Sequence, residues 1–168
     1  MPVPEARSIV INTGPIIALS AGLGSLDLLR CYARVVVPSE VFAEVMAGGM
    51  TTPGAAELDR AGFLDIRVKP VEPQPWIANS LDCGEASVVH TALEEGIRTV
   101  CIDELFGRRV ARLAGLHVTG SVGILCQAVL SGTPLDLAAI RARMDRHNVW
   151  IADRIWETAI ALVAGDTQ

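Results

Sequence analysis

The chain has 168 residues, of which 51% are hydrophobic, and a formal net charge of -5 at pH 7. This length and composition suit one domain with a full-sized core and exclude a disordered chain. The acidic balance excludes a generally basic nucleic-acid-binding coat, although it leaves room for a local basic face.

Cysteine usage and the N-terminal segment predict the compartment. The four cysteines form no C-x-x-C pair, and a domain of this length needs no disulfide bonds. The opening "MPVPEARS" lacks the features of a secretory signal, and no apolar run is long enough to cross a bilayer. We expect a cytoplasmic protein without a membrane segment, forming one domain over 1–168 with a core at about 8–132 and C-terminal helices at about 134–164.

Five short apolar runs alternate with longer helix-like segments. They are "SIVI" (8–11), "RVVVP" (34–38), "LDIRV" (64–68), "RTVCI" (98–102) and "LHVTG" (116–120). Such alternation predicts βαβ units, and the continuous apolar character of the first and fourth runs predicts strands buried on both faces. We therefore expect an α/β fold with a central parallel sheet of about five strands covered by helices.

The first strand runs into Asn-Thr-Gly-Pro. Asn12 is a good N-cap for a helix that carries Pro15 in its first turn. It also stands at the carboxyl end of a strand, where open α/β sheets build their binding sites. Thr13 opens the segment that follows, where a hydroxyl could bind water or phosphate or simply stabilise the turn.

Carboxylates recur near the starts of the next helices. In "VPSEVFAEVMAGG", Ser39 is the expected N-cap; Glu40 is assigned to a solvated face, and Glu44 either shares that face or belongs to a site. In "LDCGEASVVHTALEEG", Asp82 and Glu85 have the spacing of a capping box. A carboxylate on a first helical turn can also point into a neighbouring crevice, so Glu85 is a candidate metal ligand as well.

The fourth strand ends in an acidic pair. Asp103 could cap the next helix, and Glu104 could pair with Arg108 four residues on. Arg108, Arg109 and Arg112 follow, and they could contact a phosphate backbone. An ordinary solvated helix face explains these arginines equally well.

The last helical segment has a wide apolar face, formed by Val149, Ala152, Ile155, Trp156, Ala159, Ile160 and Val163. Such a face either packs on the parent domain or pairs with a second subunit. We expect a homodimer.

The acidic positions converge if the first and fourth strands are neighbours in the sheet. Asn12 and Asp103 would then lie side by side at the switch-point crevice, with Glu85 and Glu44 lining it. Carboxylates crowded together require protonation or a counter-charge, and a hard divalent cation bound by oxygen ligands supplies that charge. Mg²⁺ or Mn²⁺ is the natural candidate.

These segments in this order resemble the PIN-domain family, and more closely its short prokaryotic subfamily of predicted nucleic-acid-binding, toxin-like proteins. The resemblance rests on "VINTGPIIALS", "VPSEVFAEV", "LDCGEASVVHTALEEG" and "CIDELFGRRVARLAGLHVTGSVGIL" and covers roughly 9–130. It implies a three-layer α/β/α, Rossmann-like fold and a metal-dependent endoribonuclease, often the toxin of a toxin-antitoxin pair. RNA and an antitoxin protein are then the expected partners.

The resemblance also implies roles for the acidic residues. Glu44, Glu85 and Asp103 match acidic metal-site positions of the family, with Glu104 beside them, whereas the family's first aspartate falls on Asn12. An amide brings no negative charge and cannot bridge two cations. Mutating residues around metal ligands typically lowers metal affinity or activity roughly 10 to 100-fold, and we expect at least that loss from Asn12. The alternative is a catalytically weak or inactive PIN module that binds RNA or a protein partner.

Other classes fit less well. A receiver-type signalling domain needs an early acidic pair and a late lysine, whereas here the acidic pair is late and Lys69 is the only lysine. The nucleotide-binding loops and the serine-hydrolase elbow G-x-S-x-G are absent from the sequence. The three histidines are scattered, with no spacing suited to zinc, and are assigned structural roles.

Overall fold

A computed structural model describes residues 7–165 of the chain. Its centre is an all-parallel sheet with the strand order β3-β2-β1-β4-β5. The strands are β1 (Ser8–Ile11), β2 (Arg34–Val37), β3 (Asp65–Ile66), β4 (Thr99–Cys101) and β5 (His117–Thr119). Each lies within one of the five predicted runs, so the predicted α/β fold is confirmed.

Helices surround this sheet and make the fold a three-layer one. In chain order they are α1 (Thr13–Leu23), α2 (Ser39–Ala47), α3 (Ala55–Arg60), α4 (Pro75–Ala78), α5 (Cys83–Glu94), α6 (Leu105–Leu113), α7 (Ser121–Leu130), α8 (Leu137–Arg146) and α9 (Asp153–Gly165), with a short 3₁₀ helix at Asp27–Cys31. None of those between Arg7 and Gly165 is long and apolar enough to span a membrane.

The central strand β1 pairs with β2 on one side and with β4 on the other. Its residues Ile9, Val10 and Ile11 are fully buried, as expected for a strand covered by helices on both faces. The chain leaves β1 towards β2 and returns later to β4, so the winding of the sheet reverses at β1. The crevice at the carboxyl ends of β1 and β4 is therefore the switch point of the fold.

The C-terminal helices α8 and α9 pack on the outer helices α1 and α7 of the core. Helix α8 packs on α1, where a β-carbon on Gly22 would lie 2.7 Å from Cγ2 of Ile140, so glycine permits the close approach of the two helices. Helix α9 packs on α7 and buries Trp156 and Ala159.

The predicted apolar face of the last segment is only partly turned inward. Ile155 is 41% exposed and Ile160 is 51% exposed, and Val149 and Ala152 precede α9 rather than belonging to it. The expected homodimer stays a prediction. A monomeric mass by light scattering at micromolar concentration would contradict it.

Two expectations for the start of α2 were wrong. Pro38 occupies the N-cap position and Ser39 is the first helical residue, its hydroxyl donating to the Glu40 carboxylate. Glu40 does not simply face solvent, because its Oε1 also accepts a 2.6 Å hydrogen bond from the backbone N–H of Val71. This carboxylate holds the proline-rich connector (residues 67–74) against α2.

Candidate active site

The carboxyl ends of β1 and β4 are tied together by their own backbones. Ile11 is paired with Cys101, and the backbone N–H of Asn12 donates a 3.0 Å hydrogen bond to the carbonyl of Cys101. Asn12 and Asp103 therefore leave two adjacent strands at the same edge of the sheet. The prediction that the first and fourth strands are neighbours in the sheet is confirmed.

Asn12 is buried, with 7% of its surface exposed. It stands at the N-cap position of α1, but its side chain makes no capping hydrogen bond. Its Oδ1 has no hydrogen-bond partner in the part of the chain that the structure describes. A buried polar oxygen without a partner costs about 1–3 kcal/mol, so this amide oxygen is available to a ligand.

Glu44 reaches the same edge from α2. Its Oε2 accepts a 2.7 Å hydrogen bond from the hydroxyl of the buried Thr13. A β-carbon on Gly84 would lie 2.8 Å from this Oε2 and 3.4 Å from Oδ1 of Asn12, so both oxygens lie beside the start of α5. The absence of a side chain at Gly84 makes room for them.

Glu85 is the most deeply buried carboxylate of the site, with 4% exposure. Asp82 caps α5 as the predicted capping box requires, because its Oδ1 accepts a 2.8 Å hydrogen bond from the backbone N–H of Glu85. The Glu85 carboxylate lies against α6, where a β-carbon on Gly107 would be 2.7 Å from its Cδ. Its Oε1 has no hydrogen-bond partner among residues 7–165.

Burial raises the pKa of Glu85 to about 7, and the negative charges of Asp82, Glu104 and Glu44 act in the same direction. The backbone of Asp82 opposes this rise. Glu85 is thus a carboxyl group that lacks a compensating positive charge. Crowding of this kind is relieved by protonation or by a cation.

Asp103 does not cap α6, contrary to the first interpretation of its position. Its Oδ1 accepts a 2.7 Å hydrogen bond from the backbone N–H of Ser121 at the start of α7. Burial raises the pKa of Asp103, while Ser121 and the nearby Arg108 guanidinium oppose that rise. The other carboxylate oxygen, Oδ2, lies towards Gly14, 3.9 Å from the position of a β-carbon there.

Glu104 and the arginines of α6 lie around this edge rather than in it. Glu104 is exposed and occupies the N-cap position of α6 without a side-chain capping bond, and its expected pair with Arg108 does not form within 4 Å. Arg108 instead donates a 2.7 Å hydrogen bond to the carbonyl of Ile102. Arg109 is exposed and does not line the cavity that Arg108 and Arg112 line.

That cavity, which we call the α6–α9 groove, has a volume of about 900 Å³ and begins at Asp103. It runs between α6 and α9 over β5 and α7. Its lining includes Leu105, Arg108, Arg112, Thr119, Leu130, Trp150, Arg154, Ile155 and Leu162. Asp103 is the site carboxylate that this groove shares with the edge.

The donors at the edge suit a hard divalent cation. No three His, Cys, Asp or Glu side chains within residues 7–165 form a group ready to hold a metal ion. However, Asn12 adds an amide oxygen beside Glu44, and both Asn12 and Glu85 have buried oxygens without a partner. Oxygen ligands of this kind, completed by water, are those that Mg²⁺ accepts.

Sequence reasoning missed Ser121 and the two glycines that shape the site. Ser121 is fully buried, its backbone N–H binds Asp103, and it follows β5, the strand next to β4. Its position after the fifth strand was a usable signal, because every strand of a parallel sheet ends at the same edge. Gly84 and Gly107 gave no comparable signal. Gly84 makes room for Glu44 and Asn12, and Gly107 makes room for Glu85, and these residues are distant in sequence from the glycine they face.

A comparison with protein-family models matches residues 8–164 to a model described as a PIN domain. A search of curated proteins gave no match. The family match covers all five strands and nearly all of α9.

Proposed function

The chain belongs to the PIN-domain family, and on that premise we propose that it is an endoribonuclease that uses Mg²⁺ or Mn²⁺. The family implies a nuclease-like fold. The observation that carries the proposal is the set of oxygens at the carboxyl ends of β1 and β4, in which the buried Asn12 Oδ1 and Glu85 Oε1 lack partners. Most buried polar groups are hydrogen-bonded, so an unpaired amide oxygen beside Glu44 and an unpaired carboxylate oxygen on Glu85 suit a ligand.

The residues divide into two groups around the crevice. Asn12, Glu44 and Glu85 lie near the start of α5, and they would hold the cation together with water. When bound, the cation would activate water and stabilise the charge that develops on a phosphodiester. Asp103 follows the adjacent strand β4, and Ser121 fixes one of its carboxylate oxygens while the other lies towards Gly14. Its free oxygen would complete the metal ligands or orient the attacking water.

Asn12 supports a second candidate function. An amide at this position lowers the negative charge of the site by one unit relative to an aspartate, which weakens cation binding. The carboxylates Glu44, Glu85 and Asp103 would then hold a single cation for slow hydrolysis, or the crevice would serve binding alone. In either case the protein would suit the toxin-like half of a pair whose partner protein covers the crevice.

Cleavage of a mixed set of single-stranded RNAs in Mn²⁺ tests the proposal. The native protein should cleave, Asp103→Ala should lose cleavage, and Asn12→Asp should cleave faster by about 10-fold or more because it restores a ligand charge. Asp59→Asn, on the exposed side of α3, is the matched control and should behave as the native protein.

The same comparison separates the two candidate functions. If the native protein is silent and Asn12→Asp is active, the amide has switched the crevice off and the binding module is correct. If neither protein cleaves while both bind Mn²⁺ by calorimetry, the ribonuclease proposal is wrong.

A further inference from the structure

The α6–α9 groove carries positive charge in an acidic protein. Three arginines line it, Arg108, Arg112 and Arg154, against the single carboxylate of Asp103. The whole chain, by contrast, has a net charge of -5. None of these arginines forms an ion pair within 4 Å among the residues that the structure describes. Their charges are therefore available to an anionic ligand.

The groove also presents an aromatic ring to solvent. Trp150 lies in the segment before α9 and is 75% exposed, whereas Trp156 in the same region is buried in the core. Aromatic residues make up only 4% of the chain. An exposed indole beside unpaired arginines is the combination on which unpaired nucleic-acid bases stack while the phosphates are neutralised.

The remaining walls are aliphatic. Leu105, Ile155 and Leu162 line the groove and are each more than 40% exposed, at 71%, 41% and 54%. Such walls can contact the faces of bases and sugars, and they would also suit the apolar face of an acidic amphipathic helix. The exposed indole and the continuity of the groove with Asp103 favour the nucleic acid.

We propose that the α6–α9 groove binds single-stranded RNA, with one base stacked on Trp150 and the backbone held by Arg108, Arg112 and Arg154. This inference rests on the proposed ribonuclease function and extends it by naming the path along which the strand reaches the carboxylate edge. A duplex cannot use this path in the same way, because its bases are already stacked on one another.

The test is binding of a fluorescently labelled 12-nucleotide RNA, followed by anisotropy in the presence of EDTA so that no cleavage occurs. Trp150→Leu should weaken binding by about 10-fold, the loss expected for one stacked base. Trp76→Leu is the matched control, because Trp76 is also exposed, at 46%, but lies on α4 away from the groove. Arg154→Gln should weaken binding and reduce the slope of log affinity against log salt concentration by about 0.7.

Arg98→Gln, an exposed arginine outside the groove, is the control for Arg154→Gln and should leave the salt slope unchanged. Both Trp150 and Arg154 are exposed, so their variants should keep the native melting temperature. A duplex of the same sequence should bind more weakly than the single strand.

The proposal is overturned if Trp150→Leu and Trp76→Leu bind the RNA equally well, or if the duplex binds as tightly as the single strand. It is also overturned if a glutamate-rich amphipathic peptide binds the groove in a Trp150-dependent manner while the RNA does not, since the occupant would then be a protein. Binding through the groove without any Mn²⁺-dependent cleavage would support this inference and contradict the ribonuclease. Cleavage whose KM is unchanged in Trp150→Leu would support the ribonuclease and contradict RNA binding in the groove.

Discussion

The hydroxyl of Thr13 donates a 2.7 Å hydrogen bond to Oε2 of Glu44, joining the first turn of α1 to the middle of α2. Thr13 is buried, whereas Glu44 is otherwise exposed, so this bond is what directs the Glu44 carboxylate towards Gly84 and Asn12. Thr13, whose hydroxyl was a candidate to bind water or phosphate or to stabilise the turn, thus orients a carboxylate of the site.

Removing this hydrogen bond should weaken metal binding more than it weakens the fold. We expect Thr13→Val, which keeps the shape but lacks the hydroxyl, to reduce Mn²⁺ affinity by about 10-fold, as is typical of residues that orient metal ligands. Thr13→Ser keeps the donor and should stay within a few-fold of the native affinity. Calorimetric titration with Mn²⁺ measures both. Equal affinities for the two variants would show that Glu44 is not oriented by Thr13.

A methyl group at Gly107 should destabilise the protein. The β-carbon of Gly107→Ala would lie 2.7 Å from Cδ of Glu85 and 3.1 Å from Cγ2 of Ile102, and all three residues are buried. We expect a loss of about 1–3 kcal/mol in the free energy of unfolding, measured by urea denaturation. Gly62→Ala is the control, because a β-carbon there meets no atom within 4 Å. Native stability in Gly107→Ala would mean that Glu85 moves away at no cost.

Stability without metal should fall as the pH rises from about 4.5 to 7. The pKa of Glu85 is raised from 4.5 to about 7, so between these values the folded protein holds a proton that the unfolded chain has released. The unfolding free energy therefore declines as the pH rises from about 4.5 to 7, by about 3 kcal/mol for this group. The pKa of Asp103 is also raised, which acts in the same direction.

Urea denaturation in EDTA at pH 5, 6, 7 and 8 measures this decline. Glu85→Gln removes the titrating group and should flatten the profile. Because a cation binds the ionised carboxylate, Mn²⁺ affinity should rise over the same interval in the native protein. A Glu85→Gln profile as steep as the native one would assign the decline to other groups.

The connector should loosen when Glu40 loses its carboxylate. Oε1 of Glu40 accepts a hydrogen bond from the backbone of Val71, and residues 67–74 belong to no helix or strand themselves, although the backbone N–H of Arg67 donates to the carbonyl of Val37 in β2. We expect Glu40→Ala to increase proteolytic cleavage and hydrogen exchange in the connector, while Glu40→Gln, which keeps an acceptor, should change them less. Glu72→Ala, within the connector but exposed, is the control. Unchanged protection in Glu40→Ala would show that packing alone holds the connector.

The strands and the switch point could be predicted from the sequence because buried parallel strands are continuous apolar runs. The proximity of Asn12 and Asp103 followed from that topology, since each comes just after one of two adjacent strands. The partners of these residues could not be predicted in the same way. Locally, Asp103 was as well placed to cap α6, and only the pairing of β5 with β4, followed directly by α7, brings the backbone of Ser121 to it.

Glu40 and Glu44 show the same limit. Four residues apart on one helix, they share a face by periodicity, and the helix alone assigned Glu40 to solvent and left the role of Glu44 open. In the structure one accepts hydrogen bonds from Ser39 and Val71, and the other from Thr13. The choice between them depends on which neighbouring segment passes each carboxylate, which helical periodicity does not encode.

The hydrogen bond from Asn12 to Cys101 has a consequence for folding kinetics. It closes a loop of about ninety residues, so the central strand pair is a contact of high sequence separation, of the kind that forms slowly and opens only with the whole domain. The backbone N–H of Asn12 should consequently be among the slowest to exchange with deuterium, at a rate set by global unfolding. The crevice would then persist as long as the domain stays folded, without a separate local transition that dismantles it.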